Sequence, residues 1–221
     1  MAQELWSAVD EYFSGRLHKR DEIFDQILDR SATAGLPEIH VSACQGKFLQ
    51  LLVRIQRAKR ILEIGTLAGY STVWMAQGMP ADGKIVTLEA DAKHAEVARS
   101  NFALTGLSDL IELREGPALE TLPQLEDDGV GPFDLTFIDA DKVNIPAYFD
   151  WSVKLSRPGA IVIVDNVVRE GAILDETSDD PSVQGVQRLT EHLANDDRAA
   201  ATVFQTVGAK GHDGFILAVV N

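Results

Sequence analysis

Apolar positions along the chain follow two rhythms. Leu5, Val9 and Phe13 recur every four residues with Trp6 beside them, and Ile23, Phe24, Ile27 and Leu28 repeat the spacing, so residues 1–30 are expected to be helical. Such an apolar side packs on the core or on a second copy of the chain, or else caps part of a substrate pocket. Gly35 and Pro37 punctuate the break at 31–37. Residues 45–57 predict another helix, with Phe48, Leu49, Leu52, Val53 and Ile55 along its apolar side. From residue 60 onward the rhythm changes. Short, nearly continuous apolar runs at 60–64, 84–88, 110–114, 133–138 and 160–164 predict five strands buried on both faces. Residues 71–77, 92–104, 148–155 and 184–194 predict the helices between and after them. Gly106 is placed to end the second of these, and Arg157-Pro158-Gly159 the third. Runs at 202–207 and 215–220 predict an antiparallel pair at a sheet edge, joined by a loop containing Gly208, Gly211 and Gly214. The alternation implies an α/β fold: one doubly wound, Rossmann-like sheet of seven strands, mainly parallel, with an antiparallel C-terminal pair. Residues 1–221 are expected to form a single domain, with 1–40 as a helical segment packed on it.

Composition narrows the class. The chain has 221 residues and a net charge of −14. Its basic residues are scattered, with no basic face for nucleic acid, and the acidic balance disfavours anionic membranes. Cys44 is the only cysteine, which excludes intrachain disulfides and cysteine-rich zinc sites. The start, MAQELWSAVDEYF, lacks a basic-then-apolar signal pattern, and no apolar run reaches transmembrane length, so a cytoplasmic location is expected.

The candidate chemistry sits at the carboxyl ends of the expected strands, where open α/β sheets bind ligands. The run Ile61, Leu62, Glu63, Ile64 breaks into a turn from Gly65 to Gly69, followed by a helix start near Ser71. Such a corner admits a ligand close to the backbone and offers free N–H groups. The spacing is G-x-x-x-G, without G-x-G-x-x-G or a following Lys-Ser/Thr, which weakens the dinucleotide and P-loop readings. Glu89 ends the second strand 20 positions beyond Gly69, where an acid can accept hydrogen bonds from a ribose diol or stand as a solvated loop acid. Asp139 ends the fourth strand, and Asp165 and Asn166 the fifth. Two carboxylates and a carboxamide without histidine or cysteine suit a hard divalent cation, Mg²⁺ foremost, then Mn²⁺ or Ca²⁺; the plainer alternative is a pair of helix caps. Lys142 would stand at the rim as a solvated group or a proton acceptor. Cys44 reads as a small packed residue, the five histidines have no metal-ligand spacing, and 175–180 reads as a solvated acidic loop.

With these residues the chain resembles the cation-dependent class I S-adenosylmethionine O-methyltransferases, the family of catechol and caffeoyl-CoA O-methyltransferases and many bacterial relatives. EIGTLAGYS, VTLEAD, REGPALETLPQL, FDLTFIDADK and IVIVDNVV carry the resemblance, and GAKGHDGFILAVV extends it more weakly. It implies that Val41, Glu63, Gly65, Ser71, Glu89, Ala118 and Asp139 hold S-adenosylmethionine. In that reading Ser71 lies near the methionine carboxylate, Glu89 on the ribose and Ala118 beside the adenine. It further implies that Asp139, Asp165 and Asn166 ligate the cation and that Lys142 is the general base. The acceptor would be a hydroxylated, catechol-like aromatic small molecule, and the enzyme a homodimer. Three stretches depart from the family pattern: Thr66-Leu67 in place of an aromatic, Val143-Asn144-Ile145 in place of a tyrosine-bearing run, and Val167-Val168-Arg169-Glu170 in place of a tryptophan-containing loop. Two rival readings are an NAD-dependent oxidoreductase on the same fold, which leaves the Asp, Asp, Asn set without a use, and a non-catalytic, adenosine-binding dimer.

Overall fold

In the computed structural model, which describes residues 2–18 and 21–221, seven strands form one sheet. The strands are β1 (Arg60–Ile64), β2 (Lys84–Glu89), β3 (Ile111–Glu115), β4 (Phe133–Ile138), β5 (Ser156–Asp165), β6 (Ala199–Gly208) and β7 (Gly211–Val220). Their order is β3-β2-β1-β4-β5-β7-β6. The first five are parallel, and β7 runs antiparallel to both β5 and β6. The helices are α1 (Ala2–Leu17), α2 (Glu22–Thr33), α3 (Ala43–Gln56), α4 (Tyr70–Ala76), α5 (Ala92–Thr105), α6 (Ala118–Asp127), α7 (Ile145–Lys154) and α8 (Pro181–Ala194). The expected helical stretch at 1–30 is thus two helices; its positions 1, 19 and 20 lie outside the described residues.

Side-chain alternation along the strands divides the core in two. Leu62, Ile64, Val86, Leu88, Val162 and Val164 face α6, α7 and α8. Ile61, Ile85, Leu135, Phe137 and Ile163 face α2, α3, α4 and α5. Both faces are covered, which is why these strands read as continuous apolar runs. The order reverses between β1 and β4, and that switch opens a crevice at their carboxyl ends.

Several boundaries differ from the sequence reading. The helix α6 was not expected; Pro117 precedes it, Pro123 lies inside it, and prolines at both places argue for a turn. α7 begins at Ile145 because Pro146 occupies its first turn, where proline is tolerated. β5 starts at Ser156, across a register shift against Phe133. The C-terminal hairpin turns on Ala209 and Lys210 alone: Gly208 pairs with Gly211, and Gly214 lies inside β7 opposite Gln205. A Cβ at 214 would stand 2.3 Å from the Phe204 carbonyl oxygen and 2.6 Å from Val168 Cγ2.

Candidate active site

A cavity of about 540 Å³ lies in the crevice, and eight of the ten predicted site residues line it: Val41, Gly65, Ser71, Glu89, Ala118, Asp139, Lys142 and Asn166. Glu63 and Asp165 are not among its lining.

Glu63 is fully buried, on the β1 side chain that points toward α4. Ser71 Oγ donates to Glu63 Oε1 at 2.6 Å, and Thr72 and Thr87 hydroxyls donate to Oε2, Thr87 at 2.6 Å. Burial pushes the Glu63 carboxyl up to about 7; the three hydroxyl donors offset this only in part, and Asp139 adds to it. Glu63 therefore ties the start of α4 to β1 and β2 from behind the cavity wall. Ser71 lines the cavity, but its hydroxyl proton is directed to Glu63.

The Gly65 turn is fixed from both sides. Gly65 has φ 98°, and a Cβ there would lie 2.1 Å from the Asp139 carbonyl oxygen, so β1 and β4 close up only around glycine. Glu89 Oε2 accepts from the backbone N–H of Thr66 at 3.1 Å and of Leu67 at 2.7 Å, and Oε1 accepts from Asp91 N–H at 2.9 Å. Leu67 itself is held at φ 51°. His94 Nδ1 stands 3.6 Å from Glu89 Oε1. Asp91 caps α5, accepting from Lys93 and His94 N–H, and so brings His94 to the cavity.

On the other side, Ile138 and Val164 are register partners on β4 and β5, so Asp139 and Asp165 leave the sheet side by side. Asp165 is 3% exposed. Burial and the neighbouring Asp139 charge hold its carboxyl well above the usual carboxylate range, against the pull of Lys142. Lys142, 7% exposed, places Nζ 3.1 Å from Asp139 Oδ1. Its short 3-10 turn is fastened by Asp141, which accepts from Asn144 N–H at 3.1 Å and from the Tyr148 hydroxyl at 2.5 Å. Gly185 of α8 approaches the same turn so closely that a Cβ would sit 1.9 Å from the Lys142 carbonyl oxygen.

A second cavity of about 300 Å³ lies beyond Asn166, which borders both. Asp165, Gln45, Phe48, Phe215, Asp10 and residues 206–211 of the hairpin tip contribute to its wall. Gln45 sits in the first turn of α3, capped by the Ser42 hydroxyl, and its side-chain amide donates to Asp165 Oδ2 at 2.5 Å. The hairpin tip carries none of the candidate residues named from the sequence.

His94 and Tyr148, which line the first cavity, and Gln45 and Asp213, which line the second, were not among the candidates. Only His94, five positions past Glu89 at a helix start, carried a local signal. Cys44 is half-buried, with its thiol pushed up by burial and by Asp10. A further cluster, Asp150, His192 and Asp196, lies outside the crevice. Arg198 donates to Asp150 and, at 2.7 Å, to Asp196, so the chain supplies that cluster's cation itself.

The O-methyltransferase family profile matches residues 15–219. The catechol O-methyltransferase of Niastella koreensis is 47% identical over 220 residues, covering all of both chains. The catechol O-methyltransferase of Mycobacterium tuberculosis is 49% identical over 96% of this chain and 94% of its own. Among solved structures, the O-methyltransferase of Bacillus cereus in complex with SAH superposes with a TM-score of 0.98 at 55% identity, covering 99% of this chain and 100% of its own. TomG of Streptomyces achromogenes, in complex with SAM, gives 0.97 at 50% identity over 100% and 99%.

Proposed function

The chain belongs to the O-methyltransferase family and is an S-adenosylmethionine-dependent O-methyltransferase; from that premise we propose that it methylates a catechol-like aromatic hydroxyl with the help of a divalent cation held by Asp139, Asp165 and Asn166. The observation that carries the cation reading is the pairing of Asp139 and Asp165 at register-matched strand ends, one of them almost fully buried, with Lys142 as the nearby cation. Two carboxylates so placed, with the Asn166 carboxamide beside them and no histidine or cysteine in the set, are a hard-oxygen donor group. Such a cation, Mg²⁺ foremost, would lower the pKa of an acceptor hydroxyl.

The chain's own residues do the rest. Val41, Gly65, Ser71, Glu89 and Ala118 shape the 540 Å³ cavity as the cofactor pocket. Glu63 acts there indirectly, by fixing Ser71 and the start of α4. Glu89 offers its carboxylate to the ribose while its remaining bonds keep the Thr66-Leu67 backbone open. Asp139 serves both ligands from the shared wall. With a cation beside Asp139 disfavouring the ammonium, Lys142 would stand as the neutral amine and accept the acceptor's hydroxyl proton at Nζ. Much of the rate then comes from holding the acceptor oxygen in line with the sulfonium methyl, a positioning effect. The second cavity, across Asn166 and walled by Phe48 and Phe215, suits the acceptor ring.

We take residues 1–221 as one methyltransferase unit acting in the cytoplasm; no helix among the described residues is long and apolar enough to cross a membrane. Pairing of two copies is supported by α1, which buries no side chain yet exposes Leu5, Val9, Phe13 and Leu17, and by Val203, Phe204 and Val207 exposed on edge strand β6. The deciding experiment is methyl transfer from S-adenosylmethionine to caffeic acid with Mg²⁺, then with excess EDTA. Transfer that EDTA abolishes is expected. Transfer that survives EDTA would remove the cation role of Asp139, Asp165 and Asn166 and leave the methyltransferase intact.

A further inference from the structure

The turn that follows Asp165 is unusual in its backbone. Asn166, Arg169 and Glu170 have φ of 56°, 52° and 55°, three non-glycine residues in the left-handed region within five positions. Such a turn persists only where its surroundings over-determine it. The restraint comes from β7. Asp213 Oδ1 accepts three backbone N–H bonds, from Val168 at 3.0 Å, Arg169 at 3.0 Å and Gly214 at 2.9 Å. Gly214 returns the contact through its carbonyl, which accepts from Val167 N–H at 3.0 Å. Val167 and Val168 are buried, so the turn is anchored to the core immediately after Asn166. A carboxylate receiving several N–H groups makes charge-assisted bonds, stronger than neutral ones.

We propose that Asp213 is a positioning residue for the cation site: by gathering the 168, 169 and 214 N–H groups on one oxygen, it sets the left-handed turn that presents Asn166 beside Asp165. This rests on the reading of Asp139, Asp165 and Asn166 as cation ligands. Asp213 is distant from them in sequence and touches the turn through backbone groups, so its effect is on where Asn166 stands. The cofactor wall formed by β1, β2 and α4 makes no use of it.

The test is Mn²⁺ binding to the full chain by isothermal titration calorimetry, with S-adenosylmethionine binding in EDTA and thermal unfolding measured alongside. Asp213→Ala is expected to weaken Mn²⁺ binding at least about tenfold while cofactor affinity changes by less than about twofold. Asp213→Asn, which keeps one acceptor oxygen but no charge, is expected to weaken Mn²⁺ binding by roughly threefold. Wild-type Mn²⁺ affinity in Asp213→Ala overturns the inference, as does an equal loss of Mn²⁺ and cofactor binding, which marks a general structural role. Should the alanine variant not fold, Asp213→Asn decides: unchanged Mn²⁺ affinity there overturns the inference. A wild-type chain that binds no Mn²⁺ fails at an earlier point, overturning the cation reading and this inference with it.

Discussion

The β1–β2 end and the β4–β5 end of the strand edge treat their acids in opposite ways. At the first end, Glu63 takes three hydroxyl donors and Glu89 takes three backbone N–H groups. Glu63 is consumed by the fold behind the wall, and Glu89 holds the wall open from within the cavity. At the second end, Asp139 and Asp165 stand together; Asp165 receives a glutamine amide and the Asn166 N–H, and the nearby ammonium is that of Lys142. The difference separates two uses of a buried acid. One organises backbone, and its removal loosens a wall. The other is left short of positive charge, the property that the proposed cation site draws on.

The largest expected effect is at the second end. Asp165→Ala should lower Mg²⁺-stimulated turnover by about two to three orders of magnitude, while S-adenosylmethionine affinity changes by less than about threefold. Full activity in that variant would sink the metal role and with it the contrast. Next comes a change that alters no polar group. Gly185→Ala puts a Cβ against the Lys142 carbonyl, so the lysine turn must shift; turnover should fall about ten- to a hundredfold. Gly15→Ala, which meets nothing within 4 Å, is the matched control. Equal kcat in the two variants would show that the Lys142 turn tolerates displacement.

At the first end the effects should be smaller and of another kind. Glu89→Gln keeps one acceptor oxygen but sets an amide against backbone N–H groups; cofactor affinity should drop about tenfold, roughly 1.4 kcal/mol, with Mg²⁺ activation unchanged. A changed Mg²⁺ requirement would show that the two ends are not separate. Glu63 should appear mainly in stability. Its folded carboxyl titrates at about 7, above the ordinary 4.5. The folded chain therefore keeps a proton that the unfolded chain has lost. This contribution is fully present below about pH 4.5 and disappears as pH rises through 7. The full span is on the order of 3 kcal/mol. Thermal unfolding in EDTA from about pH 5 to pH 8 should fall more steeply for wild type than for Glu63→Gln; parallel profiles would mean Glu63 stays ionised.

Much of this contrast was legible in the chain, and its limits have physical causes. The five parallel strands were readable because burial on both faces leaves runs such as KIVTL and IVIV. Their terminal acids were readable because they follow those runs directly. Gln45 and Asp165 lie 120 positions apart, and Asp213 and Val168 are 45 apart, so no local pattern could pair them. The helix α6 was hidden by Pro117 and Pro123, each reasonable as a loop residue until tertiary packing buries Leu122 and Leu125. Ser71 lines the cavity, but the direction of its hydroxyl, toward Glu63, is a property of packing that no local pattern carries.

The strand order carries a consequence for association. β6 precedes β7 in the chain, yet β7 lies between β6 and the rest of the sheet. The two form a local hairpin, so it joins the sheet as a unit when β7 is laid against β5. In a state where that one pairing is lost, β5 presents an open edge and the hairpin carries Val203, Phe204 and Val207 unattached to the sheet. A released hairpin can then pair with the β5 edge of a second chain, the route by which an edge element is exchanged between copies.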